Sequence, residues 1–459
     1  MKKISKILAI LVVLALAISV AACDPAITPV ETPPPAPPAN NDPAPADNND
    51  EPPPPPPDED IVISYIIDRD TEQSGFRAIM DAFTAQTGIR FEEELRPGGA
   101  EGETILKTRF ATDDAPDMIW FNSGSLLATL NPAENLVDLT GQPFLNNLSD
   151  SFIQTVTFDN QIFGIPGTTA MAGGWLYNIA IYEELGLTVP TTWDELIANC
   201  EAIDAAGYTA VIASYADSWT SQLLVLADFH SVQSQVPNFA AEHDAGRAMF
   251  ANTPAALRGF EKLADVHERG FLNRDFLAAT YDQALEMLVN GDGVHYPMLT
   301  FALDNIYGTW GLETANNIGI FAQPADTAAD TGMAIWMPSG WFACQGSNNL
   351  EYVMQFFEFY LSNEAQAIFN SVQRGVGPSV VVGVDVPPDA FTAVGQIMQY
   401  FANGKTAPAL EFITQVKGPN LPQICVEVGS AISTPVQGAQ DYDEDVRQTA
   451  LQLGLPGDW

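Results

Sequence analysis

The segment between residues 158 and 200, FDNQIFGIPGTTAMAGGWLYNIAIYEELGLTVPTTWDELIANC, constrains this chain most, because it closes one folding unit and opens another. Asp159-Asn160 places a turn between extended apolar runs, and Gly164-Ile165-Pro166-Gly167 forbids a helix ahead of a small-residue stretch. A strand resumes at Trp175-Leu176-Tyr177. Then a helix start is written out: Thr192 stands three residues before Glu195 as a capping box, Pro190 lies just upstream, and Asp194 sits in the first turn. Trp193, Leu196, Ile197, Cys200 and Ile203 recur at helical spacing, and Gly207 stops the helix.

A unit boundary requires chain on both sides, and the 400 residues from 60 to 459 suit two domains near 200 residues each. The first opens with the β-rich run 61–67, a polar loop at 68–72, and a helix with Phe76, Ile79, Met80 and Phe83 on one face that Gly88 stops. Another extended run at 89–95 completes the βαβ alternation of a doubly wound sheet. Ligands in such sheets sit at the carboxyl ends of strands, which nominates Asp68, Arg69 and Asp70; a charged loop is also commonly just solvated. A second unit follows, with a helix at 104–112, a turn at 113–117 and a strand at 118–121. Trp120 and Phe121 point to opposite faces of that strand, and the sequence leaves open which faces a cleft.

Upstream of this body, MKKISKILAILVVLALAISVAAC has a lysine-rich start and an apolar run of about fourteen residues, short of the ~20 that a spanning helix needs. That predicts a signal peptide over residues 1–22. Ala21-Ala22-Cys23 resembles the bacterial lipobox, with Val20 where Leu is most frequent, and implies acylation of Cys23 by a chain such as palmitate. Residues 24–59 hold 15 Pro and 8 acidic residues and none that is basic, so residues 23–59 read as a lipidated Cys and a disordered, semi-rigid linker.

The formal charge is −40, and about −43 once Lys2, Lys3 and Lys6 leave with the signal, which makes nucleic acid and anionic membrane faces poor partners. Beyond Cys23, the set Cys200, Cys344 and Cys425 permits at most one internal disulfide. The four His show no metal-ligand spacing, and no Gly-x-Ser-x-Gly elbow occurs. Asp441-x-Asp443-x-Asp445 opens like a calcium loop, but Val446 stands where Gly is required and Gln452 where the bidentate Glu belongs. No catalytic constellation, metal site or cofactor is predicted.

Two stretches carry a resemblance. The order turn, aromatic-Gly-Ile-Pro, Leu-Tyr-Asn, Glu-Glu-Leu-Gly-Leu, Pro-x-Thr-Trp-Asp-Glu-Leu in 158–200, and the phrase LKTRFATDDAPDMIWF at 106–121, are similar to the sugar-type (family 1, maltose-binding-protein-like) extracellular solute-binding lipoproteins of bacterial ABC importers. The resemblance runs from Ile61 to about Pro378. It implies an α/β, two-lobed periplasmic-binding-protein-like fold of type II, each lobe a doubly wound sheet flanked by helices, joined by hinge crossings. The expected lobes are residues 60–169 plus about 340–385, and 170–339 plus about 386–459.

The same resemblance implies a cleft lined by Phe121, Asn122 and Ser123 past the second-unit strand, by Thr168, Thr169, Met171 and Trp175 at the first crossing, and by Arg374 near Gly375-Val376-Gly377. Phe301 matches a ligand-stacking position, with His295 replacing an apolar residue upstream, and Trp341 beside Gly340 marks a second crossing. The implied function is capture of a carbohydrate, in particular an oligosaccharide, and its delivery to an ABC permease by a monomer lipid-anchored on the extracellular or periplasmic side. Alternatives are another polar solute, such as a glycerophosphodiester or a peptide, or a surface glycosidase.

Overall fold

The computed structural model describes residues 61–459; the leader, Cys23 and the proline-rich linker lie outside the described residues. Strand Val62–Asp68 lies inside a five-stranded sheet, pairing in parallel with Arg90–Arg96 on one side and Met118–Phe121 on the other. Its Ile63, Ile66 and Ile67 are fully buried, as a strand covered on both faces requires. Arg90–Arg96 reads RFEEELR and forms the sheet edge, where its charges discourage pairing with another chain. Helix Ser74–Thr87 makes the crossover, burying Phe76, Ile79, Met80 and Phe83 and ending at Gly88 in the left-handed conformation. Strands Gly340–Ala343 and Gly164–Pro166, far away in sequence, add antiparallel to the other side.

The second sheet is built around Met171–Asn178. This strand pairs antiparallel with Gly293–Leu299 on one edge, and on the other with Met333–Trp336 along its first half and Ile318–Ala322 along its second. Thr209–Val211 and Thr406–Pro408 extend the sheet in parallel. The chain thus passes between sheets across residues 167–170 and returns across 337–339. The two-lobed α/β architecture is the expected one, with mixed sheets, because strands arriving from distant sequence join antiparallel.

The segment 158–200 folds as its residues dictate. Asp159 and Asn160 both take positive φ and join strands Thr157–Phe158 and Gln161–Ile162 in a two-residue hairpin. Helix Trp193–Ala205 carries both capping-box bonds, Glu195 N donating to Thr192 Oγ1 at 3.3 Å and Thr192 N to Glu195 Oε2 at 3.2 Å. Its buried face is Trp193, Leu196, Ile197, Cys200 and Ile203. Cys200, Cys344 and Cys425 are free and buried, and burial pushes their thiols well above the usual range.

Candidate functional site

A cavity of about 220 Å³ opens where the carboxyl ends of the first sheet's parallel strands meet the second sheet. From the first side come Asp68 at the end of its strand, Trp120, and Asn122 and Ser123 just beyond Met118–Phe121. From the second come Met171, Trp219, Phe301 and Trp336, and Glu411, Phe412 and Lys417 also line it.

The strand 118–121 resolves which ring reaches the ligand space. Trp120 lines the cavity, while Phe121 is buried on the other face beneath the guanidinium of Arg96, 5.7 Å from its ring centre. Arg96 also ties the rim together: Nη1 pairs with Asp68 Oδ1 at 2.7 Å and Nη2 donates to the carbonyl of Trp120 at 3.1 Å. Burial pushes the Asp68 carboxyl up to about 6, with Arg96 opposing the shift.

The second side is organised by helix Ala302–Trp310, whose first turn buries Asp304. Its Oδ2 accepts from Gln373 Nε2 at 3.0 Å, and Gln373 Oε1 accepts in turn from Gly75 N at 3.0 Å, so this chain of bonds reaches helix Ser74–Thr87. Burial pushes the Asp304 carboxyl well above the usual range. Next to it Asn305 Nδ2 donates to the Asp70 carbonyl at 3.1 Å. Glu411 and Lys417 form a buried ion pair in the cavity lining.

Of the residues that the sequence nominates, Asp68, Asp70, Trp120, Asn122, Ser123, Thr168, Met171 and Phe301 line this cavity. The others do not. Arg69 projects to solvent, and Thr169 sits at the crossing, where its Oγ1 accepts from Val376 N at 3.1 Å while Thr168 takes the cavity wall. Trp175 lies on the same strand face as Met171 but about 13 Å further along, at ~3.3 Å per residue. There it stacks on Phe321, its ring centre 6.3 Å away, and its indole nitrogen donates to Gln323. Trp341 is wholly buried among Tyr65, Phe76 and Trp120, with ring centres 5.1–5.6 Å apart, so it supports Trp120 from behind. Arg374 lies over the Tyr307 ring and pairs with Asp389. His295 is core: the Tyr182 hydroxyl lies 2.5 Å from its Nε2, and burial lowers its pKa to about 3, leaving it neutral.

Other lining residues, Trp219, Trp336, Glu411 and Lys417 among them, are not nominated by the sequence. Trp336 ends strand Met333–Trp336, where the carboxyl-end rule that nominates Asp68 applies, whereas Trp219 stands in the short turn 218–222, beyond the reach of that rule. Glu411 and Lys417 carry no motif.

The model for the bacterial extracellular solute-binding protein family matches residues 68–367. A multiple sugar-binding protein of Streptococcus mutans is 24% identical over 265 residues, covering 56% of this chain and 60% of that protein. The chain spans less than two thirds of the length of the curated relatives it matches. The solute-binding protein RafE in complex with raffinose superimposes with a TM-score of 0.71 at 19% identity, covering 85% of this chain and 99% of RafE. A sugar transporter protein of Bacillus licheniformis in complex with stachyose gives 0.68 at 15%, covering 85% and 100%. At these identities the structural likeness bears on the fold.

Proposed function

Because the chain belongs to the bacterial extracellular solute-binding protein family, we propose that it captures a carbohydrate, in particular an oligosaccharide, in this cavity and delivers it to an ABC permease. The observation that carries the reading is an aromatic wall on each side of one cavity, Trp120 on the first and Trp219, Phe301 and Trp336 on the second. Such rings stack on the apolar faces of sugars, while Asn122, Ser123, Asp70 and Asn305 take hydroxyl hydrogen bonds. Raffinose and stachyose, the sugars found with two proteins of the same fold, are the natural first probes.

In this reading the lobes comprise residues 60–169 with about 340–385, and 170–339 with about 386–459. They close when a ligand bridges both, which favours the closed form by the ligand's differential affinity. The chain acts as a monomer without turnover, held on the extracellular side by acylated Cys23. Calorimetry over mono- and oligosaccharides is expected to find a tight ligand recovered chemically unchanged. Release of smaller sugars would replace the receptor by a surface glycosidase, and binding only of peptides or glycerophosphodiesters would keep the fold and change the cargo. Incorporation of labelled palmitate, lost in Cys23→Ala, tests the anchor.

A further inference from the structure

The cavity holds a buried carboxyl group that is paired with no cation among the described residues. Asp304 is 5% exposed, lines the cavity, and its Oδ1 has no hydrogen-bond partner while Oδ2 is bound to Gln373. An ionised carboxylate in that position is costly unless a positive group or donors reach it.

A second acid meets it from the other lobe. Glu72, in the loop after strand Val62–Asp68, lines the same cavity, and its Oε2 lies 2.9 Å from where a side chain at Gly308 would begin. Gly308 is one helical turn beyond Asp304, so both acids address the same stretch of helix Ala302–Trp310. Their repulsion contributes to the raised pKa of Asp304.

The neighbouring cations are engaged elsewhere. Arg96 pairs with Asp68, Lys417 with Glu411, Lys107 with Glu103 at 3.6 Å, and Arg69 lies 3.9 Å from Asp70. Among the described residues no group of three His, Cys, Asp or Glu is arranged to hold a metal ion, so the two acids do not form a cation cage. The same cavity is lined by Phe301, three residues before Asp304, and Trp219, whose ring centres are 5.9 Å apart. A cavity lined by carboxyl groups and aromatic rings suits an organic ammonium group, which gains from both.

We infer that the bound solute carries a protonated amine seated between Glu72 and Asp304; resting on the carbohydrate reading above, this makes the cargo an amino sugar. The amine links a residue of each lobe, so it contributes to closure as well as to recognition.

The test is calorimetry with four probes at low salt: glucosamine oligomers, their N-acetylated forms, glucose oligomers of equal length, and the diamine putrescine. The free-amine oligomers are expected to bind at least tenfold more tightly than both neutral series, with the preference falling as salt rises. Asp304→Asn and Glu72→Gln should each remove that preference. Glu72 is partly exposed, so its variant remains informative if Asp304→Asn fails to fold. Equal binding of amine and neutral oligomers, or a preference that survives in Glu72→Gln, overturns the inference and leaves the carbohydrate reading standing. Putrescine binding without any sugar binding overturns the carbohydrate reading and keeps the ammonium seat; binding of none of the four overturns both.

Discussion

The indole of Trp120 occupies the space that a side chain at Gly167 would need: a Cβ there would fall 1.8 Å from Cζ3 of the ring. Trp336 uses Gly173 in the same way, at 2.1 Å. The first crossing is therefore flanked by two glycines, each leaving room for a tryptophan of the cavity wall. In Gly167→Ala the ring must move, at a cost of about 1–3 kcal/mol in stability. We expect a lower melting temperature together with at least tenfold weaker ligand binding. A variant that binds as tightly as the parent would show that the position of Trp120 is immaterial.

Phe301 and Trp341 should separate binding from stability. Trp341→Ala empties a wholly buried site and should cost about 3–5 kcal/mol in urea unfolding. Phe301→Ala truncates a cavity ring and is expected to weaken binding about tenfold or more, with a smaller loss of stability. Reversal of the two profiles would exchange their roles.

The buried rim acid gives a pH signature. The carboxyl of Asp68 titrates near 6 in the folded chain and in the ordinary carboxylate range when unfolded, so between those values the folded state binds more protons. The stability contributed by Asp68 is present at low pH and declines as pH rises through 6, by about 3 kcal/mol at 1.36 kcal/mol per unit. Relative to Asp68→Asn, which cannot titrate, the parent should therefore lose stability between about pH 3 and about pH 7 in unfolding titrations, a range that brackets both the unfolded carboxylate and the folded one. A pH-independent difference between the two chains would place the Asp68 titration elsewhere.

The capping box of helix Trp193–Ala205 is scaffold and should behave as such. Thr192→Ala is expected to cost about 1 kcal/mol while leaving ligand affinity within twofold. A large affinity loss would mean that this helix communicates with the cavity.

What could be read from residues alone follows from the range of each signal. The capping box, the Asp159-Asn160 turn and the Val62–Asp68 run are local, and each formed as its neighbours dictated. Alternation on strand Met118–Phe121 separated Trp120 from Phe121, but choosing between them required the bare backbone at Gly167, 46 residues later. Trp175 and Trp341 were nominated for standing near crossings, yet depth along a strand and cover by partners such as Phe321 and Tyr65 are three-dimensional facts. Glu411 and Lys417 reach the cavity from a stretch without periodicity or motif, where sequence offers no handle.

The crossing itself has a mechanical consequence. Pro166 is held in one sheet and Met171 in the other, and of the residues between, Gly167 N donates to Ser339 O at 3.0 Å and Ala170 N to Pro378 O at 2.9 Å. Between them Thr168 and Thr169 make no sheet bond of their own, which leaves roughly four soft torsions, with Thr169 tied through its side chain to Val376 N. So short a linkage works like one half of a pin joint: bonded to the return crossing through Ser339 and held at Thr169 by Val376 N, it shares with that second link whatever turning the sheets undergo.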